Sequence, residues 1–495
     1  MLLAIIITLT AAGLLAMLAS ASPRSSTDIY PSVVGAATVG VFTITLLLGI
    51  LGWKETGELY GVLKTGPVSM LGVIILSAIG GLVSAGVLAN PAKYRAGPGE
   101  FFGFVLFTVL GGILMTSSSN LLVLYLGIEL SSYSTYILVG YYRDESFSNE
   151  AAAKYFLLGA VASAILLFGI SLVYYASSVA YGGQVTAGGL DYARISSLVN
   201  AAATQLNLPL NPMMWPGLAF ILVGFGFKLA VVPFHSWTPD AYQGAPSMVA
   251  ALLSVGPKAA AVIALTNLLS GAFNAPELVH AWRIAIMWLA ILSMTVGNLQ
   301  AIGQRNIKRL LGYSSIAQLG YVLIGVAVGT AAGTSALILY VAGYAFTNIG
   351  AFTVIAALRD AGVGEEIDDL AGLAKRSPVA AVLLAGFFMS LAGVPLLAGF
   401  LGKLLVFKSA IDANLVPLVI VAVINTVFAY YYYFRVLVQV FLNEPRDATP
   451  VSLNPTAVTA LAVALAGVII LGVYPTPFLN VIQQAAQTMP VLALR

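Results

Sequence analysis

Apolar residues run along this chain in blocks of about 20, with charge, proline or glycine gathered between the blocks. A helix of that length rises about 30 Å, the thickness of a bilayer's hydrocarbon core, so each block reads as a membrane span. Fourteen blocks are found, near 2–21, 31–51, 68–90, 101–118, 119–140, 148–176, 214–234, 247–271, 283–303, 311–330, 334–358, 379–407, 413–434 and 455–474. The first lacks a basic n-region, and its apolar run exceeds that of a signal peptide, so it counts as a span. The polar knot Thr116–Asn120 is just large enough to turn the chain between spans four and five. One long connection, 177–213, is Gly/Ala/Asn-rich. Another, Arg359–Ser377, places Glu365, Glu366, Asp368 and Asp369 before Leu370, Leu373, Lys375 and Arg376. It reads as a solvated connector, with docking of a soluble partner as the alternative.

The predicted fold is therefore an all-α polytopic membrane protein. Spans seven and twelve each contain an interrupting proline, Pro233 and Pro395. Proline frees a backbone carbonyl and breaks a helix, which is tolerated at membrane depth where the break lines a hydrated cavity. Five spans separate the two, the spacing expected of two inverted five-helix repeats, spans 4–8 and 9–13. The match is imperfect: Lys228 precedes its proline, Lys403 follows its own, and span ten has no counterpart of Glu129. The expected division is 1–100 for the first three helices, 101–271 and 283–434 for the repeats, and 455–495 for the last helix and tail.

Composition narrows the function classes. Hydrophobic residues make up 60% of the 495 and charged residues 8%, against about 25% charged in soluble domains. A net charge of +3 is too small to argue for nucleic acid. The absence of cysteine excludes disulfides, thiolate metal sites and iron–sulfur ligation by this chain. Only His235 and His280 are present, both near span ends, which argues against a haem or zinc site. With no Gly-rich nucleotide loop either, any redox cofactor belongs to a partner subunit.

Loop cations set the orientation. With the N-terminus outside, the inner loops hold Arg24, Lys93, Arg95, Arg143, Arg305, Lys308, Arg309, Arg359, Lys375, Arg376, Arg435 and Arg446. The outer side holds Lys54, Lys64, Arg194, Arg283, Lys408 and Arg495. The excess satisfies the positive-inside rule and places both termini on the outer side.

Five charges interrupt the spans themselves: Glu129, Lys154, Lys228, Lys258 and Lys403. An ionisable group there costs at least ~2.5–3.5 kcal/mol, so each marks a candidate site for protons or small ions. Glu129 sits roughly 16 Å from the end of its helix and Lys154 roughly 9–14 Å from the start of the next, so the two are expected to pair. A structural ion pair fixing helix packing is the alternative. Lys228, Lys258 and Lys403 flank glycines and prolines, as expected of amines lining hydrated crevices and exchanging protons. Snorkelling to the interface is the alternative, strongest for Lys154 and weakest for Lys228 and Lys258. Thr295, Asn298, Gln300, Ser314, Ser315, Gln318, Tyr344, Thr347 and Asn348 accompany them. These read as interhelical hydrogen bonds, some of which hold water. His235 and the run Tyr430–Tyr433 read as interfacial anchors.

Five segments carry a resemblance: LGIELSSYSTYILVGY (126–141), SNEAAAKYFLLGAVASAILLFGISLVY (148–174), GFKLAVVPFHSWTPDAYQGAP (226–246), NIKRLLGYSSIAQLGYVLIG (306–325) and GVPLLAGFLGK (393–403). Together they resemble the N subunit of the respiratory complex I (NADH–quinone oxidoreductase) family, an antiporter-like proton-channel subunit. The lysine-bearing motifs are shared with sister subunits and Mrp-type antiporters; SNEAAAKYFLLGA is more particular to the N type. The resemblance implies a non-redox translocase subunit of a prokaryotic plasma membrane, assembled with other membrane-arm subunits. Quinone, flavin and iron–sulfur clusters would lie in those partners. It implies that Glu129 and Lys154 control Lys228, and that protons pass through Lys258 towards Lys403. An Mrp-type cation/proton antiporter and a membrane hydrogenase subunit that has lost pumping are the other readings. A sodium antiporter needs a mid-membrane carboxylate cluster, and only Glu129 is available; a scaffold need not keep all five charges.

Overall fold

Helices follow the apolar blocks. The computed structural model describes residues 1–495 except 21–29, 95–96, 179–188, 201–209, 446, 448 and 490–495. Arg24, Arg95, Arg446, Arg495 and the stretches 179–188 and 201–209 of the predicted long loop lie outside the described residues. In chain order the helices are α1 (Leu2–Ser20), α2 (Tyr30–Leu51), α3 (Pro67–Val87), α4 (Pro98–Ser117), α5 (Leu121–Val139), α6 (Ser146–Ser178) and α7 (Tyr192–Asn200). There follow α8 (Met214–Leu229), α9 (Trp237–Gly244), α10 (Ser247–Gly271), α11 (Pro276–Ile302), α12 (Ile307–Val328) and α13 (Ala331–Asp360). The last are α14 (Leu373–Arg376), α15 (Pro378–Ala392), α16 (Ala398–Asp412), α17 (Val416–Phe441), α18 (Pro455–Val473) and α19 (Thr476–Gln487). Among the described residues, 12 helices are long and apolar enough to cross a membrane.

Helix starts are written locally. Asn120 caps α5 by accepting from the Leu122 amide, and Asn306 caps α12 by accepting from the Lys308 and Arg309 amides. These side chains satisfy donors that a helix start leaves unpaired. The knot at 116–120 thus divides α4 from α5 as expected. The two breaks also fall where the prolines predicted them. α8 stops at Leu229 with Ala230 in the left-handed region (φ 57°), and the chain runs over Pro233 before α9 begins. α15 stops at Ala392 with Gly393 at φ 95°, and α16 begins at Ala398 beyond Pro395.

In hydrocarbon the hydrophobic effect does not hold helices together; close van der Waals approach and interhelical hydrogen bonds do. Gly111 of α4 and Gly127 of α5 show this. A Cβ on Gly111 would lie 2.7 Å from the Gly127 carbonyl oxygen, and one on Gly127 2.9 Å from that of Gly111. The contact presses α5, with Glu129, Ser131 and Ser132, into the bundle. α10, α12 and α13 are enclosed on almost all sides, whereas α1, α2, α6, α11, α17 and α18 keep exposed apolar flanks.

Three features were not foreseen. A hairpin of β1 (Gly57–Leu59) and β2 (Leu63–Thr65) folds onto the α4–α5 turn, where the Ser119 amide donates to Val62 O at 3.0 Å. Short helices also lie outside the fourteen blocks, α9 and the four-residue α14 among them. α7 and the 12-residue α19 are too short and too polar to register as blocks. At the opposite, cation-rich end, the segment after α13 is no free connector. The Ile307 amide donates to Glu365 O and the Ile367 amide to Arg305 O, and Ile367, Leu370 and Leu373 are buried. It closes the bundle there because its apolar residues face inward and one carboxylate, Glu365, meets both Lys308 and Arg359.

Candidate functional site

The three lysines of the broken and proline-bearing spans are enclosed. Lys228, Lys258 and Lys403 are 4%, 2% and 4% exposed, and none is paired with a carboxylate among the described residues. Each is held by neutral oxygens instead. Lys228 Nζ, on the last turn of α8, donates to Ser132 Oγ at 2.9 Å and Ser131 Oγ at 3.3 Å on α5. Lys258 Nζ, one residue after Pro257 inside α10, donates to Ser315 Oγ of α12 at 2.7 Å and lies 5.5 Å from the centre of the Tyr242 ring. Lys403 Nζ, on α16, curls back over the second break and donates to Ala392 O at 3.0 Å and Leu391 O at 3.2 Å. Those carbonyls are free because the break removes their helical partners. Lys403 also lies 4.9 Å from the centre of the Tyr321 ring.

A polar thread joins the last two lysines. Ser314, beside Ser315 on α12, shares a hydrogen bond with the Tyr433 hydroxyl. One turn on, Gln318 donates to Tyr433 at 3.2 Å and to Leu391 O at 3.0 Å, the carbonyl that also receives Lys403. Tyr340 donates to the Gln318 carbonyl. α12 thus presents Ser314, Ser315 and Gln318 at i, i+1 and i+4, one face of a helix, between two buried amines. From Lys228 the thread runs less far. Ser131 and Ser132 carbonyls accept from Thr135, whose hydroxyl lies 3.3 Å from that of Tyr155. On the other side Tyr242 lies 3.3 Å from Ser315. No hydrogen bond joins Tyr155 to Tyr242 among the described residues.

The expected pair of Glu129 and Lys154 does not form. Glu129 accepts from Ser163 Oγ at 2.6 Å, and Lys154 Nζ lies 2.6 Å from Glu150 Oε1 and 3.1 Å from Asp240 Oδ2. The reason is geometric. Ser148 Oγ donates to Val139 O, which fixes the relative height of α5 and α6. From that level Lys154 lies about 9 Å up α6 and Glu129 about 15 Å up α5. Helical side chains tilt toward their own N-terminus, so in antiparallel neighbours the two lean apart. Lys154 reaches the cation-rich end, its side chain 47% exposed. Glu129 remains buried, on the same helix as the Ser131 and Ser132 that hold Lys228.

The tyrosine run is also not an interfacial belt. Tyr432 and Tyr433 are fully buried, and Tyr430 donates to Gly393 O at the second break; only Tyr431 is exposed. Four consecutive residues cover a full helical turn, so on α17, a helix with one buried side, Tyr432 and Tyr433 turn inward, Tyr430 lies at the edge and Tyr431 faces out. Asp240, Arg309, Tyr242 and Ser163 were missed as partners. Asp240 had a signal, a carboxylate six residues past the apolar block that contains Pro233.

The chain matches the family described as NADH:quinone oxidoreductase/Mrp antiporter over residues 118–429. It is 43% identical over 392 residues to NADH-quinone oxidoreductase subunit N of Trichlorobacter lovleyi, covering 79% of this chain and 77% of that one. The chain belongs to the NADH-quinone oxidoreductase subunit N family. A chain in the structure of respiratory complex I from Thermus thermophilus with bound aureothin shares 30% identity and a TM-score of 0.76, covering 97% and 99% of the two chains. A chain of the Mrp complex from Dietzia sp. has a TM-score of 0.81 at 21% identity, covering 99% and 96%, a likeness of fold. The chain is thus an antiporter-like, multi-pass membrane protein with about a dozen long apolar helices.

Proposed function

We propose that this chain translocates protons as a membrane-arm subunit of a complex I-type NADH-quinone oxidoreductase, the redox step taking place in partner subunits. One observation carries the reading: three ammonium groups, each almost fully enclosed, rest on hydroxyls and carbonyls rather than on counter-ions. A purely structural lysine at this depth would be costly without a paired carboxylate. An amine on hydroxyls can give up its proton and take another without breaking a salt bridge.

Glu129, two and three residues before the serines that hold Lys228, acts on that lysine from α5. From there protons pass to Lys258 and along Ser315, Ser314, Tyr433 and Gln318 to Lys403. Lys154 acts from the cation-rich end through Asp240. The chain crosses the membrane fourteen times, α8 with α9 and α15 with α16 each counting as one broken crossing. It comprises 1–100, two inverted repeats over 101–271 and 283–434, and 455–495, with both termini outside. What supports this is the pairing of breaks, one per repeat, each with a buried lysine. The cation-rich end gathers Lys93, Arg143, Arg305, Lys308, Arg309, Arg359, Lys375, Arg376 and Arg435, as a cytoplasmic face does. The Mrp-type reading is weaker, because Glu129 stands without a second carboxylate to coordinate sodium.

The test is proton uptake by inverted vesicles containing the assembled complex. Lys228→Ala or Glu129→Ala should abolish pumping and slow quinone reduction, and Lys64→Ala, on the exposed hairpin, should change neither. Normal uptake in the first two would refute the function.

A further inference from the structure

α9 is the second half of the first broken span, and it sits across the cation-rich side of Lys228. Trp237, its first residue, donates Nε1–H to Phe227 O at 3.2 Å, the carbonyl next to Lys228. The same indole stacks on Tyr155 of α6 at 4.3 Å between ring centres. Pro239 backs against Gly312 of α12, where a Cβ would lie 3.1 Å from the proline Cα. The helix is therefore a short plug wedged between α6 and α12.

A single carboxylate ties the plug to both neighbours. Asp240 Oδ2 receives Lys154 Nζ of α6 at 3.1 Å, and Oδ1 receives Arg309 NH1 of α12 at 2.5 Å. Glu150 shares the lysine, and Gln243, also on α9, shares the arginine at 3.2 Å. The Thr238 hydroxyl, fully buried on this plug, and His235 Nδ1 just before it have no protein partner. Buried polar atoms of that kind ordinarily hold water, so α9 carries two polar atoms suited to solvent close to Lys228.

We propose that Asp240 is the latch of this plug, a positioning residue whose carboxylate keeps α9 closed between cation-side water and Lys228. The proposal rests on the proton-relay function given above. An eight-residue helix cannot hold itself in place by its own hydrogen bonds, so its position depends on these lateral ties. Release of Lys154 or Arg309 from Asp240 frees one side of α9 and opens the water path. Closing the latch again isolates Lys228 from the side its proton came from, which a pump requires and a channel does not.

The test uses the complete complex in inverted vesicles, with complex content checked by immunoblot. Passive proton conductance is read from the decay of an acid pulse without electron donor, and proton uptake per quinone reduced is read with it. Asp240→Asn should raise the conductance at least about threefold, the population shift that follows loss of a half-exposed ion pair. It should lower uptake per quinone while quinone reduction continues. Asp240→Glu should restore both. Arg309→Gln should leak similarly, and the double variant no more than the Asp240→Asn single. Unchanged conductance in Asp240→Asn overturns the latch, as does a leak in the double variant equal to the sum of the singles. If Asp240→Asn does not assemble, unchanged conductance in Arg309→Gln overturns it. Should Lys228→Ala pump normally, the relay fails instead, so the two failures are distinguishable.

Discussion

A lysine held by neutral oxygens in a membrane interior is the unit from which the rest follows. Ser315 supplies the only hydrogen bond to Lys258 Nζ among the described residues. A hydrogen bond to a charged group is worth about 1.5–3 kcal/mol, so Ser315→Ala should slow proton uptake roughly tenfold or more. Ser315→Thr, which keeps the hydroxyl, should recover most of the rate in the same vesicle assay. Gly393 offers a sharper steric case. Its φ of 95° disfavours any side chain, and a Cβ would lie 3.3 Å from Lys403 Cδ and 3.4 Å from its Nζ. Gly393→Ala should cost about 1–3 kcal/mol in backbone strain alone and displace the amine. Complex yield and pumping should both fall, read by native gel and proton uptake. At this scale the sequence was informative about residue type and poor about partners. Glu129, Lys228, Lys258 and Lys403 stand out because charge is rare in apolar blocks. The swap of Lys154 onto Asp240 was hidden, because it depends on the relative height of two helices and on side-chain tilt.

At the scale of elements, two broken helices and one glycine contact set the geometry. The breaks were legible from Pro233 and Pro395, since proline acts on its own backbone and needs no neighbour to be read. The hairpin, α7 and α19 were not, because each owes its form to what it packs against. The tyrosine run was misread for a related reason: its chemistry suits an interface, and only the facing of α17 shows that Tyr432 and Tyr433 turn inward. The Gly111–Gly127 contact is the element-scale prediction. Gly127→Leu would force α4 and α5 apart by several ångströms, well beyond the 1–3 kcal/mol typical of added bulk in a packed core. The subunit should fail to assemble, seen as loss of the complex on a native gel, whereas Leu126→Ala on the exposed flank of α5 should assemble normally.

Across the whole molecule, the buried thread and the charged surface meet at the cation-rich end. Lys308 is 1% exposed, yet it reaches Glu365 at 3.1 Å, and Arg359 joins the same carboxylate at 3.4 Å and Glu145 at 3.5 Å. This network ties the turn before α6, α12, the end of α13 and the segment after it into one cap. Glu365→Gln would leave Lys308 enclosed beside a neutral amide, a loss of about 3–5 kcal/mol when one partner of a buried pair is removed. The complex should lose thermal stability measurably in detergent. Paired removal, Lys308→Met with Glu365→Gln, should recover part of it. The central claim is that protons cross this chain on its enclosed lysines. Its most direct test is proton uptake per quinone reduced in vesicles carrying Lys258→Ala in the assembled complex. The account predicts that uptake is lost, as with Lys228→Ala, and the ratio falls; an unchanged ratio would contradict it.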